Sequence, residues 1–281
     1  MAMTDQAETS SSTATPSPKA EPKHPFTLAI DVGATGLKAS VLDADGAMVA
    51  DRVKIATTYP MSPQKLIDDL TRLVAPLPDA ERASAGFPGM VRAGHVLSPS
   101  HLNTKHGPGS HVDPDLVEAW RGFDLAGALT AALGRPTKVA NDADIQGSAV
   151  ATGQGLELVI TLGTGFGTSY FYDGKLMPHM EFSHHPFRKG ETYDEQLGEA
   201  TRKEIGEERW TKRVHRAIRY MRELMYFDHL YIGGGNSRRL VRDDLDDDVT
   251  IVDNTAGILG GIKLWETDHI GVNTTEADPA S

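Results

Sequence analysis

Apolar and polar positions follow a short, regular pattern in the first part of the chain. The runs Phe26–Ile30, Leu37–Leu42 and Met48–Lys54 are apolar or alternate with polar residues, and turn residues separate them. This pattern predicts three strands in an antiparallel meander. In the segment Pro63–Val74 the apolar residues return every three or four positions, which predicts a helix.

Further along the chain, short apolar runs alternate with segments of helical spacing. The segment Val96–Asp113 is rich in Pro, Gly, Ser and His, so we expect a long loop there. A second strand–turn–strand beginning follows at Leu156, which indicates two similar lobes of mixed α/β structure. The remaining strands are predicted at Ala83–Phe87, Thr137–Ala140, Leu156–Leu162, Gly167–Tyr172, Leu230–Ile232 and Val249–Val252. The remaining helices are predicted within Leu116–Leu133, over Ala143–Thr152, over Glu195–Met225 with a break near Gly206, over Ser237–Val241 as the start of a helix, and over Ala256–Trp265.

The composition narrows the possible classes of protein. Of the 281 residues 39 % are hydrophobic and 24 % are charged, which is ordinary for a globular protein. The chain has no cysteine, so disulfides and thiolate metal sites are excluded, and we expect a reducing, cytoplasmic location. A formal net charge of −11 argues against general binding to nucleic acid or membranes. Residues 1–25 and 269–281 are expected to be disordered tails.

Two glycine-rich turns, Asp31–Lys38 and Thr161–Thr168, each follow an apolar run. Glycines leave backbone N–H groups open to a bound anion, and Thr and Lys add donors. Each turn alone is more typical of an ordinary hairpin, but one turn in each lobe is what a phosphate held in a cleft requires. The carboxylate at the start of the first turn, Asp31, would hold Mg²⁺ through water. The phosphate-binding candidates are Asp31, Gly33, Thr35, Gly36, Lys38, Gly163, Thr164 and Gly165.

An Asn-Asp pair, Asn141 and Asp142, lies between the two turns in sequence, after a predicted strand and before a predicted helix. Asn and Asp are favoured as helix N-caps, and a cap is the simpler interpretation of the pair alone. The functional interpretation makes Asp142 the base that accepts a proton from a substrate hydroxyl. The two roles are compatible, because Asn141 can cap the helix while Asp142 points into a cleft.

Two further segments carry polar groups suited to a ligand. Glu181 and His184 are three residues apart and can converge on one small polar ligand, although adjacent histidines on a loop are more often solvated. The turn Gly233–Asn236 follows a strand and fits the phosphate or ribose of a nucleotide at a helix N-terminus, or is a plain strand-to-helix turn. Its candidate residues are Gly233, Gly234, Gly235 and Asn236.

A basic stretch runs along the predicted helices at Thr201–Arg222. A solvated helix face is the default interpretation. However, Arg209, Arg213 and Arg216 are spaced to share one face, and a basic strip in an acidic protein is suited to an extended polyanion. The eight basic residues are Arg202, Lys203, Arg209, Lys212, Arg213, Arg216, Arg219 and Arg222.

Taken together, these motifs resemble the ROK group of sugar kinases, and within it the polyphosphate-dependent glucokinases. Four landmarks occur in the family's order: D-V-G-A-T-G-L-K from Asp31, G-F-P-G from Gly86, N-D-A-D from Asn141 and L-G-T-G-F-G-T from Leu162. The segments E-F-S-H-H-P-F and Y-I-G-G-G-N follow. The resemblance covers nearly all of the chain between the two expected tails.

The resemblance implies the fold class: α/β, with two lobes of the actin-like, hexokinase-like (ribonuclease H-like) ATPase fold and a cleft between them. A small lobe would span 26–150 together with a returning helix at 255–268, and a large lobe would span 151–254. The resemblance also implies a homodimer and gives roles to single residues. Asp142 would be the catalytic base, and the sugar contacts would be Asn103, Asn141, Asp142, Glu181 and His184.

Two departures from the family pattern bear on substrate and cofactor. The cysteine-rich zinc motif of most ROK members is absent, as in members that use polyphosphate, so no zinc is expected. Ser183 stands where the family's E-x-G-H motif has glycine, and its Cβ could alter which sugar fits. Only the short expected tail precedes Phe26, so the helix-turn-helix domain of ROK repressors is not expected.

The resulting hypothesis is a hexose kinase. It would transfer a terminal phosphoryl group from polyphosphate, ATP or both to the 6-hydroxyl of glucose, with Mg²⁺. The basic strip Arg202–Arg222 favours polyphosphate, whereas the Gly233–Asn236 turn favours ATP, and of the two donors polyphosphate is preferred. The alternatives are an ATP-dependent kinase of mannose, fructose or an N-acetylhexosamine, and a non-catalytic sugar sensor. No nucleic-acid or membrane partner is expected.

Overall fold

The computed structural model describes residues 21–252 and 256–266. The tail predicted at 269–281 and most of the tail predicted at 1–25 lie outside these residues. Of the helices in the described part of the chain, none combines the length and the apolar character that a bilayer crossing requires.

The described residues form fourteen strands and eight α-helices. The strands are β1 (Thr27–Val32), β2 (Gly36–Leu42), β3 (Val53–Ala56), β4 (Arg82–Phe87), β5 (Met90–Arg92), β6 (His95–Ser98), β7 (Thr137–Asn141), β8 (Leu156–Leu162), β9 (Phe166–Tyr172), β10 (Lys175–Leu176), β11 (Pro186–Arg188), β12 (Glu191–Thr192), β13 (His229–Gly233) and β14 (Val249–Ile251). The helices are α1 (Pro63–Val74), α2 (Pro114–Trp120), α3 (Leu125–Leu133), α4 (Asp142–Ser148), α5 (Tyr193–Leu197), α6 (Glu199–Ile205), α7 (Glu207–Met225) and α8 (Ala256–Glu266).

The first sheet has the strand order β3-β2-β1-β4-β7. Strands β1 to β3 form the predicted antiparallel meander, and β4 and β7 run parallel to β1. Helix α1 has the predicted bounds. Its start is fixed by local contacts, because the Ser62 hydroxyl accepts a hydrogen bond from the Lys65 N–H (3.2 Å) and Pro63 occupies the first turn. Its apolar stripe packs, with α3, into one core against this sheet.

Two boundaries in this half differ from the prediction. Contacts begin before the expected start of the fold, because the Lys23 carbonyl accepts a hydrogen bond from the Ala44 N–H (2.7 Å). The strand predicted at Met48–Lys54 is confined to Val53–Ala56. The carboxylate of Asp43 accepts two backbone N–H groups in the preceding turn, which widens that turn and delays the pairing of the third strand.

The long loop predicted at Val96–Asp113 is partly regular. Strands β5 and β6 form a hairpin that takes up its first residues, and a 3₁₀ turn follows at Ser100–Asn103. Val96 and Leu102 are fully buried, so apolar burial gives this Pro- and Gly-rich segment a fixed path that its composition did not indicate.

The second sheet has the order β10-β9-β8-β13-β14, and α5, α6 and α7 pack beside it around a second core. The helix predicted to start at Ser237–Val241 is not formed. Two 3₁₀ turns occupy Ser237–Arg239 and Arg242–Asp244 instead. The segment after Val241 carries only Leu245 as an apolar residue before β14, so a longer helix would have no apolar face to bury.

Helices α4 and α8 cross each other in contact with the first sheet. Their backbones approach closely at Gly260, where an added Cβ would lie 1.6 Å from the Ile145 carbonyl oxygen. Helix α8 is held to the sheet by polar contacts: the Ser84 hydroxyl donates to the Gly261 carbonyl (2.5 Å), and the indole N–H of Trp265 donates to Ser84 Oγ (2.9 Å).

Candidate active site

The first glycine turn joins β1 to β2 and is held from the side by two hydroxyl groups. Thr57 Oγ1 donates to the Gly33 carbonyl (2.6 Å), and the Tyr59 hydroxyl donates to the Ala34 carbonyl (2.7 Å). The backbone N–H groups of Ala34 and Thr35 have no hydrogen-bond partner in the part of the chain that the structure describes. The turn is therefore fixed through its carbonyls and has N–H donors left for an anion.

Asp31 and Lys38 stand at the two ends of this turn. Their side chains form an ion pair with 2.9 Å between Nζ and Oδ2, and both are largely exposed. The ion pair brings together a carboxylate suited to a hydrated cation and an ammonium group suited to phosphate.

The second glycine turn joins β8 to β9 and is closed by a carboxylate from α5. Asp194 Oδ1 accepts the Phe166 N–H (2.9 Å), and it lies so close that a Cβ added at Gly165 would be 2.0 Å away. The carbonyls of Gly163 and Thr164 accept the N–H of Glu199 at the start of α6. Only glycine at position 165 permits this arrangement.

The third predicted turn lies directly on the second. The Asn236 N–H donates to the Leu162 carbonyl (2.9 Å), and its side-chain Nδ2 donates to the Gly163 carbonyl (3.1 Å). The structure thus brings Gly163–Gly165 and Gly233–Asn236 together, although the latter leads into a 3₁₀ turn and not into the expected α-helix.

Asn141 and Asp142 divide the two roles foreseen for the pair. Asn141 is buried, and its Oδ1 accepts the Ala143 N–H (2.7 Å) as the N-cap of α4. Its Nδ2 donates to the Gly89 carbonyl (2.9 Å) in the turn after β4. Half of its bonding capacity is therefore used inside the protein, and one N–H and one lone pair of Oδ1 remain for the predicted sugar contact.

Asp142 is the first residue of α4 and is half-buried. Burial, together with the negative charge of Asp31, raises the pKa of its carboxyl group to about 6. Helix α4 packs on β4 beside Gly86, where an added Cβ would lie 3.7 Å from the Asp142 Cα, an ordinary contact distance.

A cavity of about 290 Å³ opens beside these groups. Asp31, Lys38, Arg52, Gly86 and Asp142 contribute to its lining, so the candidate base and the first glycine turn face the same space. On the other side of α4, a Cβ at Gly167 would lie 3.1 Å from the Ala143 Cβ, which places the strand leaving the second glycine turn against the N-terminus of this helix.

The predicted sugar contacts are differently placed. Glu181 is half-buried, and its negative charge contributes to the raised pKa of Asp142. His184 is exposed at the end of a 3₁₀ turn that starts beside Glu181. The side chain of Asn103 forms no hydrogen bond within residues 21–252 and 256–266, and its role stays a prediction.

A buried histidine that the sequence analysis missed lies among these carboxylates. His179 Nδ1 is 3.0 Å from Asp144 Oδ1, and its Nε2 is 3.7 Å from Glu181 Oε2. Burial lowers the pKa of His179, but the two carboxylates outweigh it and raise the pKa to about 10. His179 and Asp144 are separated by 35 residues in sequence, so only the position of His179 two residues before Glu181 could have drawn attention to it.

The residues present fit a hydrated Mg²⁺ better than an all-protein metal site. No group of three or more His, Cys, Asp or Glu side chains suited to a metal occurs in the described residues. Mg²⁺ commonly uses one or two carboxylates, retains several waters and is completed by phosphate oxygens. Asp31, exposed at the edge of the cavity, is a carboxylate of this kind.

The basic stretch is largely neutralised by neighbouring carboxylates. Arg209, Arg213 and Arg216 form no ion pair within the described ranges, and Arg213 donates only to the Gln196 carbonyl (3.4 Å). The residues of the stretch that do form ion pairs are Arg202, Lys203, Lys212, Arg219 and Arg222.

Comparison with known proteins gives a consistent result. The family model described as ROK family matches residues 27–183. A polyphosphate glucokinase of Mycobacterium tuberculosis is 26 % identical over 259 residues, which cover 85 % of this chain and 92 % of that one. An N-acetylmannosamine kinase of Escherichia coli is 33 % identical over 158 residues, which cover 54 % and 49 %.

Among solved structures, the inorganic polyphosphate/ATP-glucomannokinase of Arthrobacter sp. strain KM superposes with a TM-score of 0.70 and 28 % identity. The superposition covers 86 % of this chain and 98 % of the other. The two-lobed, hexokinase-like α/β fold expected from the sequence is confirmed by this likeness.

Proposed function

This chain belongs to the ROK family, and on that premise we propose that it is a hexose kinase acting on the 6-hydroxyl of glucose, with polyphosphate, ATP or both as donor. The observation that carries the proposal is the half-buried carboxyl group of Asp142 at the N-terminus of α4, beside the first glycine turn and with a pKa near 6. The names of the relatives support sugar phosphorylation in general and these donors in particular.

In the proposed reaction Asp142 accepts the proton of the 6-hydroxyl as its oxygen attacks the terminal phosphorus. The new O–P bond forms while the bond from that phosphorus to the bridging oxygen of the donor breaks. A base with a pKa near 6 is mostly ionised at neutral pH yet still accepts a proton effectively. The free N–H groups of Ala34 and Thr35, together with Lys38, would stabilise charge on the transferred group.

Mg²⁺ bound through water to Asp31 would neutralise phosphate charge when the donor is present. Asn103, Asn141, Glu181 and His184 are the proposed sugar contacts. Glu181 is the best positioned of them, because the Ser183 hydroxyl (2.6 Å) and the nearby His179 orient its carboxylate.

A kinase of an N-acetylhexosamine is the second candidate. Ser183 stands in the expected glycine position and its hydroxyl donates to Glu181, so the predicted sugar contacts depart from the family pattern and do not select glucose over other hexoses. The N-acetylmannosamine kinase relative agrees with this alternative. Mannose and fructose stay possible acceptors for the same reason.

The proposal includes the division into two lobes, a small one at 26–150 with 255–268 and a large one at 151–254. It also includes a homodimer and a cytoplasmic location. They rest on the family resemblance and on the absence of cysteine, and each can be tested separately from the activity.

The decisive experiment crosses ATP, GTP and polyphosphate with glucose, mannose, fructose and N-acetylmannosamine, and measures the sugar phosphate formed. Asp142→Ala should remain folded and lose about 10²–10⁴-fold in rate, while Asp68→Ala, on the exposed face of α1, should match the wild type. Sugar binding by calorimetry without turnover by any donor would identify a non-catalytic sensor. Near-normal activity of Asp142→Ala would refute the mechanism.

A further inference from the structure

The register of the first sheet places a row of charged residues across three strands. Asp31 of β1 pairs with Lys38 of β2, and Lys38 pairs with Lys54 of β3. Directly paired residues project from the same face of a sheet. Neighbouring strands lie about 4.8 Å apart, so this row carries Lys54 to roughly 10 Å from Asp31.

Helices cover one part of this face of the sheet, and the rest of the face is open. Helices α4 and α8 pack over β1, β4 and β7, where Gly261 approaches Ala29 and Ser84. No α-helix in the described residues packs on this face of β2 and β3, and the cavity beside Asp142 extends there, lined by Lys38, Ser40 and Arg52. The open part of the face is therefore continuous with the candidate base.

The cations on the open part are available to a ligand. Arg52 and Lys54 are exposed and form no ion pair within the described part of the chain. Within the described residues, the third cation, Lys38, pairs with Asp31 alone. Lys38 and Arg52 line the cavity together with the carboxylates Asp31 and Asp142, and Lys54 lies next to Lys38 on the sheet, outside the cavity lining. In a protein with a formal charge of −11, these three cations on one open face can attract an anion.

We infer that an inorganic polyphosphate donor binds with its terminal phosphate beside Asp142 and continues across Lys38, Lys54 and Arg52 on the open face of β2 and β3. This inference rests on the proposed function and names the course of one of its substrates. It differs from the course along α7 that the sequence suggested. On α7 three of the six basic residues are paired with carboxylates, and the cavity beside Asp142 is lined by Lys38 and Arg52 but by no residue of α7.

The course separates the two donors. ATP ends in a nucleoside after three phosphates, and its base and ribose would lie toward Gly233–Asn236 in the other lobe. A long polyphosphate has no nucleoside and keeps its charge along its whole length, so cations beyond the first turn contact it and not ATP. A longer chain should depend more on Arg52 and Lys54 than tripolyphosphate does.

The test compares the double variant Arg52→Gln/Lys54→Gln with two others. Arg209→Gln/Arg213→Gln/Arg216→Gln removes the alternative course on α7, and Arg121→Gln/Lys175→Gln removes two exposed cations far from both courses. For each, KM is measured with long-chain sodium polyphosphate, sodium tripolyphosphate and ATP, and thermal unfolding checks the fold. Direct binding of long-chain polyphosphate is measured by titration in the absence of sugar.

The first double variant should raise KM for long-chain polyphosphate about 5- to 20-fold, with a smaller effect for tripolyphosphate and ATP, and it should flatten the salt dependence of binding. A larger effect of the α7 variant, or an equal effect on all donors, would overturn the inference. Wild-type activity with ATP but none with polyphosphate would overturn it while leaving the kinase proposal intact. If no donor is used, the kinase proposal fails. If the first double variant then also binds long-chain polyphosphate as tightly as the wild type does, the polyphosphate course is refuted as well.

Discussion

Substitution of Gly260 by alanine tests whether the crossing of α4 and α8 positions the candidate base. A Cβ at this position would lie 1.6 Å from the Ile145 carbonyl oxygen and 2.5 Å from its carbon. Contacts under 3.0 Å from a Cβ essentially never occur, so the two helices must separate by roughly 1.4 Å at this point. Both neighbours are backbone atoms, and no side-chain rotation can relieve the contact.

The cost follows from two opposing effects. Alanine favours the helix by about 1 kcal/mol relative to glycine, whereas overpacking costs about 1–3 kcal/mol or somewhat more. The difference is a net loss of up to about 2 kcal/mol, which lowers Tm by up to about 8 °C in a protein of this size. The activity should suffer more, because Ile145 and Asp142 share one turn of α4 and a misplacement of about 1 Å can cost 10²-fold in rate.

Gly261→Ala is the matched control, because it makes the same chemical change one residue further along the same helix. A Cβ there meets Ala29 and Ser84 at 3.5 Å, which is ordinary contact. The assay is thermal unfolding together with kcat for glucose phosphorylation on both variants. If the Gly260→Ala variant unfolds at the same temperature as the Gly261→Ala variant and retains its kcat, the helix crossing does not position the base.

Three further predictions concern charged groups. Because Asp142 must be ionised to accept a proton, kcat/KM should fall as the pH drops below about 6. Asp31→Asn should move this fall to lower pH, because it removes a negative charge that raises the pKa of Asp142. An unchanged pH profile in this variant would contradict the influence of Asp31 on Asp142. His179→Gln should raise KM for the sugar more than it lowers kcat, because it releases the Glu181 carboxylate; a pure loss of Tm with normal KM would indicate a structural role only. Burial raises the pKa of Glu157, but hydrogen bonds from Thr152 and its neighbours outweigh burial, and the pKa in the folded protein is lowered. The ionised carboxylate therefore stabilises the fold above the pKa of the unfolded chain, and this stabilisation disappears as the pH falls through the pKa of the folded protein. In urea denaturation, Glu157→Gln should lose about 1.5–3 kcal/mol of unfolding free energy at pH 7 and less near pH 3.

Local sequence patterns predicted those parts of the fold that local interactions determine. The bounds of α1 are correct because a serine cap, a first-turn proline and an apolar stripe all act within twelve residues. The helix expected to start at Ser237–Val241 does not form, because the residues that would continue it carry only Leu245 as an apolar residue and would have no apolar face to bury. The register of β3 was missed because it depends on a turn held by the Asp43 carboxylate.

The candidate site shows the same limit. The glycine turns and the Asn141–Asp142 pair are recognisable in sequence because each is a contiguous motif. The contact of His179 with Asp144 and the row from Asp31 to Lys54 arise only when distant segments pair, and no local pattern encodes them. Functional roles for all these residues await the variants described above.

The amide of Asn141 is bonded at one end to the cap of α4 and at the other to the Gly89 carbonyl. Asn141 thereby fixes the start of the loop that follows Gly89, and the same residue caps the helix that carries Asp142. Exchange of residues 98–112 for the equivalent loop of another sugar kinase should therefore leave Asp142 in place, if the grafted loop keeps an apolar residue at the buried position of Leu102. Acceptor range and proton transfer would then be separable traits, which makes this loop the place to begin when redesigning the enzyme for a new sugar.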